Sequence, residues 1–446
     1  MLVHFVSLGC DKNLVDSEVM LGILFRAGHT ITFEVAQAEA IIVNTCGFIA
    51  DATEESIETI LELSQYKLEG NCKVLVVTGC MAQRYREDVL KELPEVDAVI
   101  GSGDFEAIGE VLAKTKAGSF CMVTDKQLDE NLGSRRLLSG PTYFAYMKIA
   151  EGCDHCCTYC TIPSIRGRYR SRPMESLVEE AKTLADQGVK ELILVAQNTA
   201  LYGIDIYGKQ KIHELIHILS QTEGLDWIRL MYSYPEYITD ELIDEIATNP
   251  KVCNYIDMPV QHFDNNILKK MNRGENKQTL DIIKKLRQRI PDIALRSTVM
   301  VGFPGEGEKE FQNLINFIKE MKFERLGAFM YSREEGTKAY EFSQQVPLDT
   351  KHKRLDKVMT LQKEISEATG RLKKGKVLKV IVDGKIPEDN VYCGRCYMDC
   401  YGLDGLVFFK PNGQDLIAGD FVDVLITGSS SYDLIGEIWN ADEFAQ

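Results

Sequence analysis

Three cysteines lie close together in residues 151–163, and their spacing constrains the fold more than any other feature of the chain. Three residues separate Cys153 from Cys157, and two separate Cys157 from Cys160. A loop with this spacing can turn three thiolates inward onto one cubane iron–sulfur cluster, since thiolates are the soft ligands that such clusters need. Three ligands for four irons leave one iron open to a small molecule. Cys156 is out of this register, and we expect it not to bind iron.

The length and composition predict a globular protein of roughly two to four domains. The chain has 446 residues, of which 45% are hydrophobic and 26% charged, as is typical of globular proteins. No apolar run reaches the roughly 18 residues of a membrane span, and the N-terminus lacks a signal-peptide layout. We therefore expect a cytoplasmic location and no membrane partner. In that reducing compartment, the 13 cysteines indicate metal binding or catalysis rather than disulfides.

Residues 1–120 alternate between short apolar runs and helical patterns. The predicted strands lie at 2–8, 40–44 and 73–78, and the predicted helices at 16–27, 51–66 and 82–93. This alternation predicts an α/β domain with an open parallel sheet. Cys10, Cys46 and Cys80 each follow one of these strands, and parallel strands present their carboxyl ends at one edge. The three thiols would converge there as a second metal-binding set, although each could also be incidental.

A linker is predicted at residues 121–141, followed by a central domain at 142–370. This domain repeats a strand and a helix six times. The predicted strands lie at 144–150, 191–196, 227–232, 255–258, 294–301 and 325–331, and the helices near 174–187, 211–220, 239–247, 276–289, 307–320 and 348–368. Six units fall short of the eight in a closed barrel, so we predict an open, partial (β/α)6 barrel. The loop with Cys153 follows the first strand, which places it at the carboxyl ends of the strands.

Polar or glycine-rich segments follow three strands of this domain. Gln197 and Asn198 follow the second strand, where polar side chains suit an ammonium and a carboxylate group. The segment 257–262, which ends at His262, follows the fourth strand, and the segment 302–306 follows the fifth. An ordinary turn is the alternative for each segment, and His262 alone is more often a hydrogen-bonded structural residue than a ligand or base.

The final segment, residues 371–446, changes to short alternating β runs at 377–382, 405–409, 421–427 and 433–437. These runs predict a small all-β barrel. Residues 377–446 hold four basic and twelve acidic residues, a net charge of −8, within a chain of net charge −16. Phosphate-dominated binding needs a basic face, so this balance argues against a nucleic-acid partner. Cys393, Cys396 and Cys400 suggest a third metal site, but we expect reduced structural thiols.

The segment around Cys153 resembles the signature of radical S-adenosylmethionine (SAM) enzymes, and its flanks look like the methylthiotransferase branch. Those flanks are Glu151-Gly152, Ile162-Pro163 and Arg166-Gly167. The residues around Cys10, Cys46 and Cys80 look like the N-terminal domain of the same family, and the final segment looks like its TRAM barrel. The resemblance therefore covers nearly the whole chain.

The resemblance implies SAM and two [4Fe–4S] clusters as cofactors. Cys153, Cys157 and Cys160 would hold the cluster that cleaves SAM, and Cys10, Cys46 and Cys80 an auxiliary cluster. The residues implied to contact SAM are Gln197, Asn198, Gly302, Phe303, Pro304 and Gly305. The two clusters must face each other across the substrate, so the N-terminal sheet edge is expected to dock on the open barrel.

Within the family, the chain is most similar to the branch that places a methylthio group on the β-carbon of an aspartate in small-subunit ribosomal protein S-twelve. The residues that favour this branch are Asp11 to Glu18, Tyr397 to Asp399 and Tyr432 to Leu434. The resemblance implies that one SAM methylates a sulfur at the auxiliary cluster, and that the radical from a second SAM removes a β-hydrogen. An electron donor such as a flavodoxin or ferredoxin is implied. The alternatives are the tRNA adenosine branch and a non-catalytic iron–sulfur carrier or RNA-binding protein.

The acidic final barrel also predicts how the partner is chosen. Ribosomal proteins are basic because they lie against RNA phosphate, so an acidic surface should attract such a protein and repel tRNA. We expect Asp404, Asp415 and Asp433 to lie on that surface. The expected apolar anchors are Tyr397, Tyr401 and Tyr432.

Overall fold

The computed structural model describes residues 1–114, 119–124 and 136–439. Within the predicted linker 121–141, residues 125–135 lie outside the described residues, as do residues 440–446 of the predicted final domain. The described residues form two parallel sheets and one closed barrel, in that order along the chain. This arrangement confirms the fold class predicted from the pattern of strands and helices.

The N-terminal unit is a parallel sheet with helices on its faces. Its strands are β1 Leu2–Ser7, β2 Thr30–Ile31, β3 Ala40–Thr45, β4 Val74–Gly79, β5 Ala98–Gly101 and β6 Phe120–Met122, in the order β2-β1-β3-β4-β5-β6. Its helices are α1 Asp11–Arg26, α2 Ala50–Ser64, α3 Tyr66–Glu69, α4 Cys80–Tyr85, α5 Glu87–Glu92 and α6 Ile108–Lys114. Every residue of β3 and β4 is buried, which explains why both read as continuous apolar runs.

Two helices of this unit differ from their predicted bounds. Helix α1 begins at Asp11, five residues before its predicted start, with Cys10 as its N-cap residue. Its first turns bury polar side chains such as that of Asn13, so they lack the apolar periodicity that marks a helix. The helix predicted at 82–93 is divided into α4 and α5, because Arg86 between them has a φ of 51°.

The central unit is an open sheet of six parallel strands with a small antiparallel ribbon at its side. The sheet contains β7 Phe144–Lys148, β10 Glu191–Val195, β11 Trp227–Leu230, β12 Val252–Asp257, β13 Ala294–Val301 and β14 Arg325–Met330, and β8 Ala150–Glu151 pairs with β9 Arg170–Ser171 in the ribbon. The strand order β14-β13-β12-β11-β10-β7 follows the sequence without closing, as expected of a partial (β/α)6 barrel.

Most helices of the central unit pack against the strands of this sheet. They are α7 Ile162–Arg166, α8 Met174–Asp186, α9 Ile204–Tyr207, α10 Ile212–Ser220, α11 Asp240–Thr248, α12 Asn265–Met271, α13 Asn276–Arg289, α14 Glu308–Met321 and α15 Leu348–Arg371. The largest apolar core of the described residues lies between these helices and the strands. All six predicted helices are present, each within a few residues of its predicted bounds.

The final unit is a closed five-stranded barrel. Its strands are β15 Val377–Ile386, β16 Val391–Cys396, β17 Val407–Lys410, β18 Phe421–Ser429 and β19 Leu434–Ile438. The strand β16 was not predicted, because its Tyr-Cys-Gly-Arg-Cys residues show no clear alternation of apolar and polar side chains.

The segment 397–404 of this barrel packs against the N-terminal halves of the central strands. Arg325 of β14 donates to Asp399 at 2.9 Å, and Arg296 of β13 donates to Asp404 at 3.3 Å. The prediction that Asp404 lies on an open surface is therefore wrong. Its side chain is 3% exposed because it pairs with Arg296 inside the contact between the two barrels. Asp415, in contrast, is exposed as predicted.

Two of the three predicted aromatic anchors are used within the chain. The Tyr401 ring centroid lies 4.2 Å from that of Phe144, and the Tyr397 hydroxyl donates to the Asp292 carbonyl at 2.9 Å. Both tyrosines thus join the final barrel to the central unit. Tyr432 is 40% exposed and remains available to a partner.

Candidate active site between the two parallel sheets

The loop with the closely spaced cysteines lies between β8 and β9. Cys153 and Cys157 are buried, and Cys160 is half-buried. The His155 amide donates to Cys153 Sγ and the Ile162 amide to Cys160 Sγ, both at 3.4 Å. Burial raises the pKa of Cys160 to about 12, and the neighbouring thiols of Cys157 and Cys153 act in the same direction. The loop thus gathers the three thiols in one place, and iron binding there would release their protons.

Other residues of this loop turn outward or pack against the barrel. Cys156 is exposed, with a φ of 51°. The Thr158 amide donates to the Met271 carbonyl at 3.1 Å. The Tyr159 ring packs edge-to-face on Phe303, with 6.3 Å between centroids. Phe303 itself is fully buried, so its side chain gives the cysteine loop a fixed apolar contact.

The turn Gly302–Gly305 is held by the carboxylate of Glu306. Glu306 Oε2 accepts a hydrogen bond from the Gly302 amide at 2.9 Å and lies 3.4 Å from His262 Nε2. The other ring nitrogen of His262 accepts from the Asp264 amide at 3.0 Å. These contacts favour the structural alternative for His262 over a ligand or base.

The second set of cysteines lies at the carboxyl edge of the N-terminal sheet. Cys10 caps α1, Cys46 follows β3, and Cys80 begins α4 directly after β4. Burial raises the pKa of Cys80 to about 12, and the thiols of Cys10 and Cys46 add to this effect. The three thiols are therefore close enough to act on one another, although they are distant in sequence.

A glycine allows two of these loops to approach each other. Gly9 has a φ of 85°, and a Cβ atom placed on it would lie only 2.8 Å from Cys46 Cβ. Both the positive φ and the close approach exclude a side chain at this position. The Gly-Cys pair at residues 9–10 is thus a structural requirement of the cysteine set.

Arg166 joins the two sets of cysteines. It ends α7, which begins two residues after Cys160. Its Nη2 atom lies 3.2 Å from Cys80 Sγ and also donates to Asn13 Oδ1. Its Nη1 atom donates to Asp16 Oδ2 at 2.6 Å. The side chain is 3% exposed, so this bridge between the two units lies out of contact with water.

Arg166 belongs to a buried group of four charges, which we call the charge square: Asp16, Lys148, Glu151 and Arg166. Lys148 Nζ donates to Glu151 Oε2 at 2.7 Å and also to Asp16, while Arg166 Nη1 lies 3.2 Å from Glu151 Oε2. Burial disfavours the charged form of Glu151, but Lys148 and Arg166 outweigh it and hold the pKa of Glu151 well below its usual range. Two cations balance two anions, which is what buried charges require.

Gln197 and Asn198 lie beside the charge square at the end of β10. Gln197 Nε2 donates to Glu151 Oε1 at 2.7 Å, and Asn198 Oδ1 accepts from the Tyr234 amide at 3.3 Å. Gln197 Oε1 and Asn198 Nδ2 are buried and have no hydrogen-bond partner among the described residues. An unpaired buried polar atom costs about 1–3 kcal/mol, so both atoms suit a bound ligand. One accepts and the other donates, so together they could bind a ligand that carries both a donor and an acceptor group.

Arg273 is a second buried cation near the cysteine loop, and no sequence pattern identified it. Its Cζ lies 3.9 Å from the Tyr234 ring centroid, and its Nη2 donates to the Pro259 carbonyl at 2.7 Å. Its Nε and Nη1 atoms are buried without a hydrogen-bond acceptor in the described part of the chain, although Nε lies 4.0 Å from Glu236 Oε1. A guanidinium with free donors suits an anionic group of a ligand.

The two cysteine sets each offer three thiols as possible metal ligands. In residues 1–114, 119–124 and 136–439, no group of three or more His, Cys, Asp or Glu side chains is arranged to hold one metal ion. The three-thiol donor sets are those that iron–sulfur clusters use.

Cys393, Cys396 and Cys400 do not form a comparable set. Cys393 and Cys396 are three residues apart on β16, so their side chains lie on opposite faces of the strand. Cys396 Sγ lies 3.0 Å from Asp399 Oδ2, and Cys393 Sγ lies 3.7 Å from the Gly384 carbonyl oxygen.

Changing these three cysteines to Ser should therefore leave the iron and zinc content of the purified protein unaltered. A lower melting temperature is expected, because Cys396 and Cys400 are fully buried and a buried hydroxyl costs about 1–3 kcal/mol without a partner. Metal analysis of the parent and the triple variant provides the measurement. Loss of stoichiometric metal would establish a third site.

Comparison with known proteins supports the division into three units. The family described as "Uncharacterized protein family UPF0004" matches residues 2–101, the Radical SAM superfamily matches 147–318, and the TRAM domain matches 375–438.

The ribosomal protein uS12 methylthiotransferase RimO of Lachnoclostridium phytofermentans is 48% identical over 98% of this chain and 99% of its own. RimO of Thermoanaerobacter sp. is also 48% identical, over 98% and 99%. The chain belongs to the RimO family. Membership confirms the prediction of a radical SAM methylthiotransferase, which uses SAM and a [4Fe–4S] cluster.

Solved structures share the fold of this RimO-family chain at much lower sequence identity. The radical SAM methyltransferase TsrM from Kitasatospora setae, determined with cobalamin and a [4Fe–4S] cluster, has a TM-score of 0.56 and 14% identity. The match covers 74% of each chain. Among the described residues, no helix has the length and apolar character needed to span a membrane.

Proposed function

We propose that this RimO-family chain places a methylthio group on the β-carbon of an aspartate in ribosomal protein uS12 and uses two [4Fe–4S] clusters to do so. Cys153, Cys157 and Cys160 hold the cluster that works with SAM, and Cys10, Cys46 and Cys80 hold the second. The observation that carries the proposal is that both cysteine sets meet at one junction, on either side of the charge square. A substrate at this junction would lie within reach of both.

The clusters and SAM, when bound, supply a 5′-deoxyadenosyl radical and a methylated sulfur for transfer. The protein positions these groups and keeps water away from them. Gln197 Oε1 would accept from the SAM ammonium, and Asn198 Nδ2 and Arg273 would donate to its carboxylate, since these buried atoms have no other hydrogen-bond partner among the described residues. The turn Gly302–Gly305 would contact the adenine, and its Phe303 packs against Tyr159 of the cysteine loop.

The proposal assigns one role to each part of the chain. Residues 1–120 carry the second cluster, 121–141 form a linker, 142–370 carry the SAM-dependent cluster, and 371–446 form the TRAM barrel. The electron for SAM cleavage comes from a donor such as a flavodoxin or ferredoxin. A ribosomal-protein substrate and the need for reduced cysteines support a cytoplasmic location for the reaction.

The experiment that tests the function is anaerobic reconstitution with iron, sulfide, SAM and dithionite, followed by mass spectrometry of two candidate substrates. We expect the mass increase of one methylthio group on an aspartate of uS12 and none on tRNA. Modification of tRNA alone would transfer the assignment to the tRNA adenosine branch. SAM cleavage without a modified product on either substrate would contradict both.

The acidic face of α2 predicts how a basic substrate protein approaches. Five acidic residues of α2 are exposed, and no ion pair joins any of them to a described basic residue: Asp51, Glu54, Glu55, Glu58 and Glu62. The helix begins beside the junction, since the Ala50 amide donates to Glu334 at 2.7 Å and Thr161 Oγ1 donates to the Phe48 carbonyl at 3.4 Å. In the final barrel, by contrast, Asp399 and Asp404 are already paired with arginines.

Reversing Glu54, Glu55 and Glu58 to Lys should weaken uS12 binding by about tenfold at low salt, since each exposed charge contributes up to about 1 kcal/mol. The effect should shrink as salt is added, because exposed charges are screened within about 10 Å at 0.1 M. Binding titrations across a salt series provide the measurement, with SAM cleavage expected to stay at the parental rate.

A matched control is the reversal of three exposed acids of the final barrel, Glu388, Asp389 and Asp423. This set carries the same charge change at a different surface. If the barrel reversals weakened uS12 binding more than the α2 reversals, the substrate would contact the final barrel, as predicted from the sequence.

A further inference from the structure

The guanidinium of Arg166 has two ends with different kinds of partner. Nη1 forms the ion pairs of the charge square, at 2.6 Å to Asp16 Oδ2 and 3.2 Å to Glu151 Oε2. Nη2 takes no part in those ion pairs. It lies 3.2 Å from Cys80 Sγ and donates to Asn13 Oδ1. The ion pairs of the charge square therefore account for the position of Nη1 but not for the position of Nη2.

The orientation of Asn13 is determined by its own hydrogen bonds. Its side-chain nitrogen donates to the Leu8 carbonyl at 3.1 Å and to the Thr45 carbonyl at 3.0 Å. Asn13 is fully buried, and only an amide nitrogen can satisfy two carbonyl oxygens. Its Oδ1 must then face Arg166 Nη2 and Cys80 Sγ, which lies 3.6 Å away. The Asn13 side chain thus holds Arg166 Nη2 next to the sulfur of Cys80.

The charge balance explains why a donor is needed at this place. The charge square is neutral as a group, with Arg166 and Lys148 opposite Asp16 and Glu151. A thiolate at Cys80 adds one negative charge in a buried environment, which is costly unless a donor faces it. Arg166 Nη2 is the cationic donor that lies within hydrogen-bond distance of this sulfur.

We infer that Arg166 is a positioning residue of the second cluster, and that its Nη2 donates a hydrogen bond to the Cys80 thiolate that binds iron. This role rests on the proposed function, since it requires a cluster on Cys10, Cys46 and Cys80. The reduction potential of an iron–sulfur cluster rises with hydrogen bonds to its sulfurs and with nearby positive charge. Arg166 therefore raises the potential of the second cluster while tying it to the helix that follows Cys160.

The test uses the full-length chain in which Cys153, Cys157 and Cys160 are changed to Ala, so that only the second cluster forms. In this parent we compare Arg166→Gln and Arg166→Lys with Arg168→Gln, whose exposed side chain lies two residues further along the same loop. Iron content, the electron paramagnetic resonance spectrum and the midpoint potential are measured anaerobically after reconstitution.

We expect Arg166→Gln to shift the midpoint potential downward and to alter the spectrum at unchanged iron content. Arg166→Lys should shift the potential less, because Lys keeps the charge but cannot hold both the ion pairs and the sulfur. Arg168→Gln should match the parent. An unchanged potential and spectrum in an iron-loaded Arg166→Gln would overturn the inference.

A folding failure does not obscure the result. If Arg166→Gln does not fold, the test rests on the midpoint potential and spectrum of Arg166→Lys. Parental values of both in that variant would reject the role of Arg166. If the parent with three Ala substitutions binds no iron, the second cluster of the proposed function fails, and the inference about Arg166 fails with it for that separate reason.

Discussion

Replacing Cys153, Cys157 and Cys160 together with Ala should abolish 5′-deoxyadenosine formation and leave about four irons per reconstituted chain. The three thiols are gathered in one loop, and the unpaired atoms of Gln197 and Asn198 that suit SAM lie beside it. Without these ligands, no iron is held next to that site. The irons that remain are those of the second set. Iron analysis and chromatography of the SAM cleavage products provide the measurement.

Cys156→Ala is the matched control for this triple variant. Cys156 lies in the same loop, but it is exposed, whereas Cys153 and Cys157 are buried and Cys160 is half-buried. We expect about eight irons and a parental rate of SAM cleavage in this control. If Cys156→Ala lost SAM cleavage while one of the other three cysteines proved dispensable, the ligand set would have to be reassigned.

Replacing Cys10, Cys46 and Cys80 with Ala should have a different effect: about four irons, SAM cleavage retained, and no methylthiolated uS12. These thiols lie on the other side of the charge square from the SAM-dependent loop. The ion pairs of Arg166 with Asp16 and Glu151 do not involve Cys80, so the loop should keep its position. The measurement combines iron analysis, 5′-deoxyadenosine formation and mass spectrometry of uS12.

Cys72 and Cys121 supply the control for the second variant. Both belong to the N-terminal unit, and neither lies with the cysteine set at the sheet edge. Changing both to Ala should preserve about eight irons and the methylthiolated product. Retention of about eight irons in the Cys10, Cys46 and Cys80 variant itself would refute the second cluster.

The sequence by itself determined the six strands of the central sheet, six helices of that unit and the sheet edge at which the cysteines lie. The strand β3 was predicted at 40–44 and lies at Ala40–Thr45, because a strand that is fully buried in a parallel sheet reads as an almost unbroken apolar run. The gathering of Cys10, Cys46 and Cys80 was also predicted. Each follows a strand, and parallel strands end at the same edge. These features depend on neighbouring residues and on the periodicity of side chains, which the sequence contains directly.

Only the tertiary structure decided which charged residues are buried and which partners they pair with. Asp404 looked like part of an acidic surface but pairs with Arg296, 108 residues away in the sequence. Asp16 lay within a predicted helix but completes the charge square with Arg166, which is 150 residues away. A charged side chain is stable in the interior only if an opposite charge meets it there. That meeting depends on how separate sheets dock, and no local pattern of residues records it.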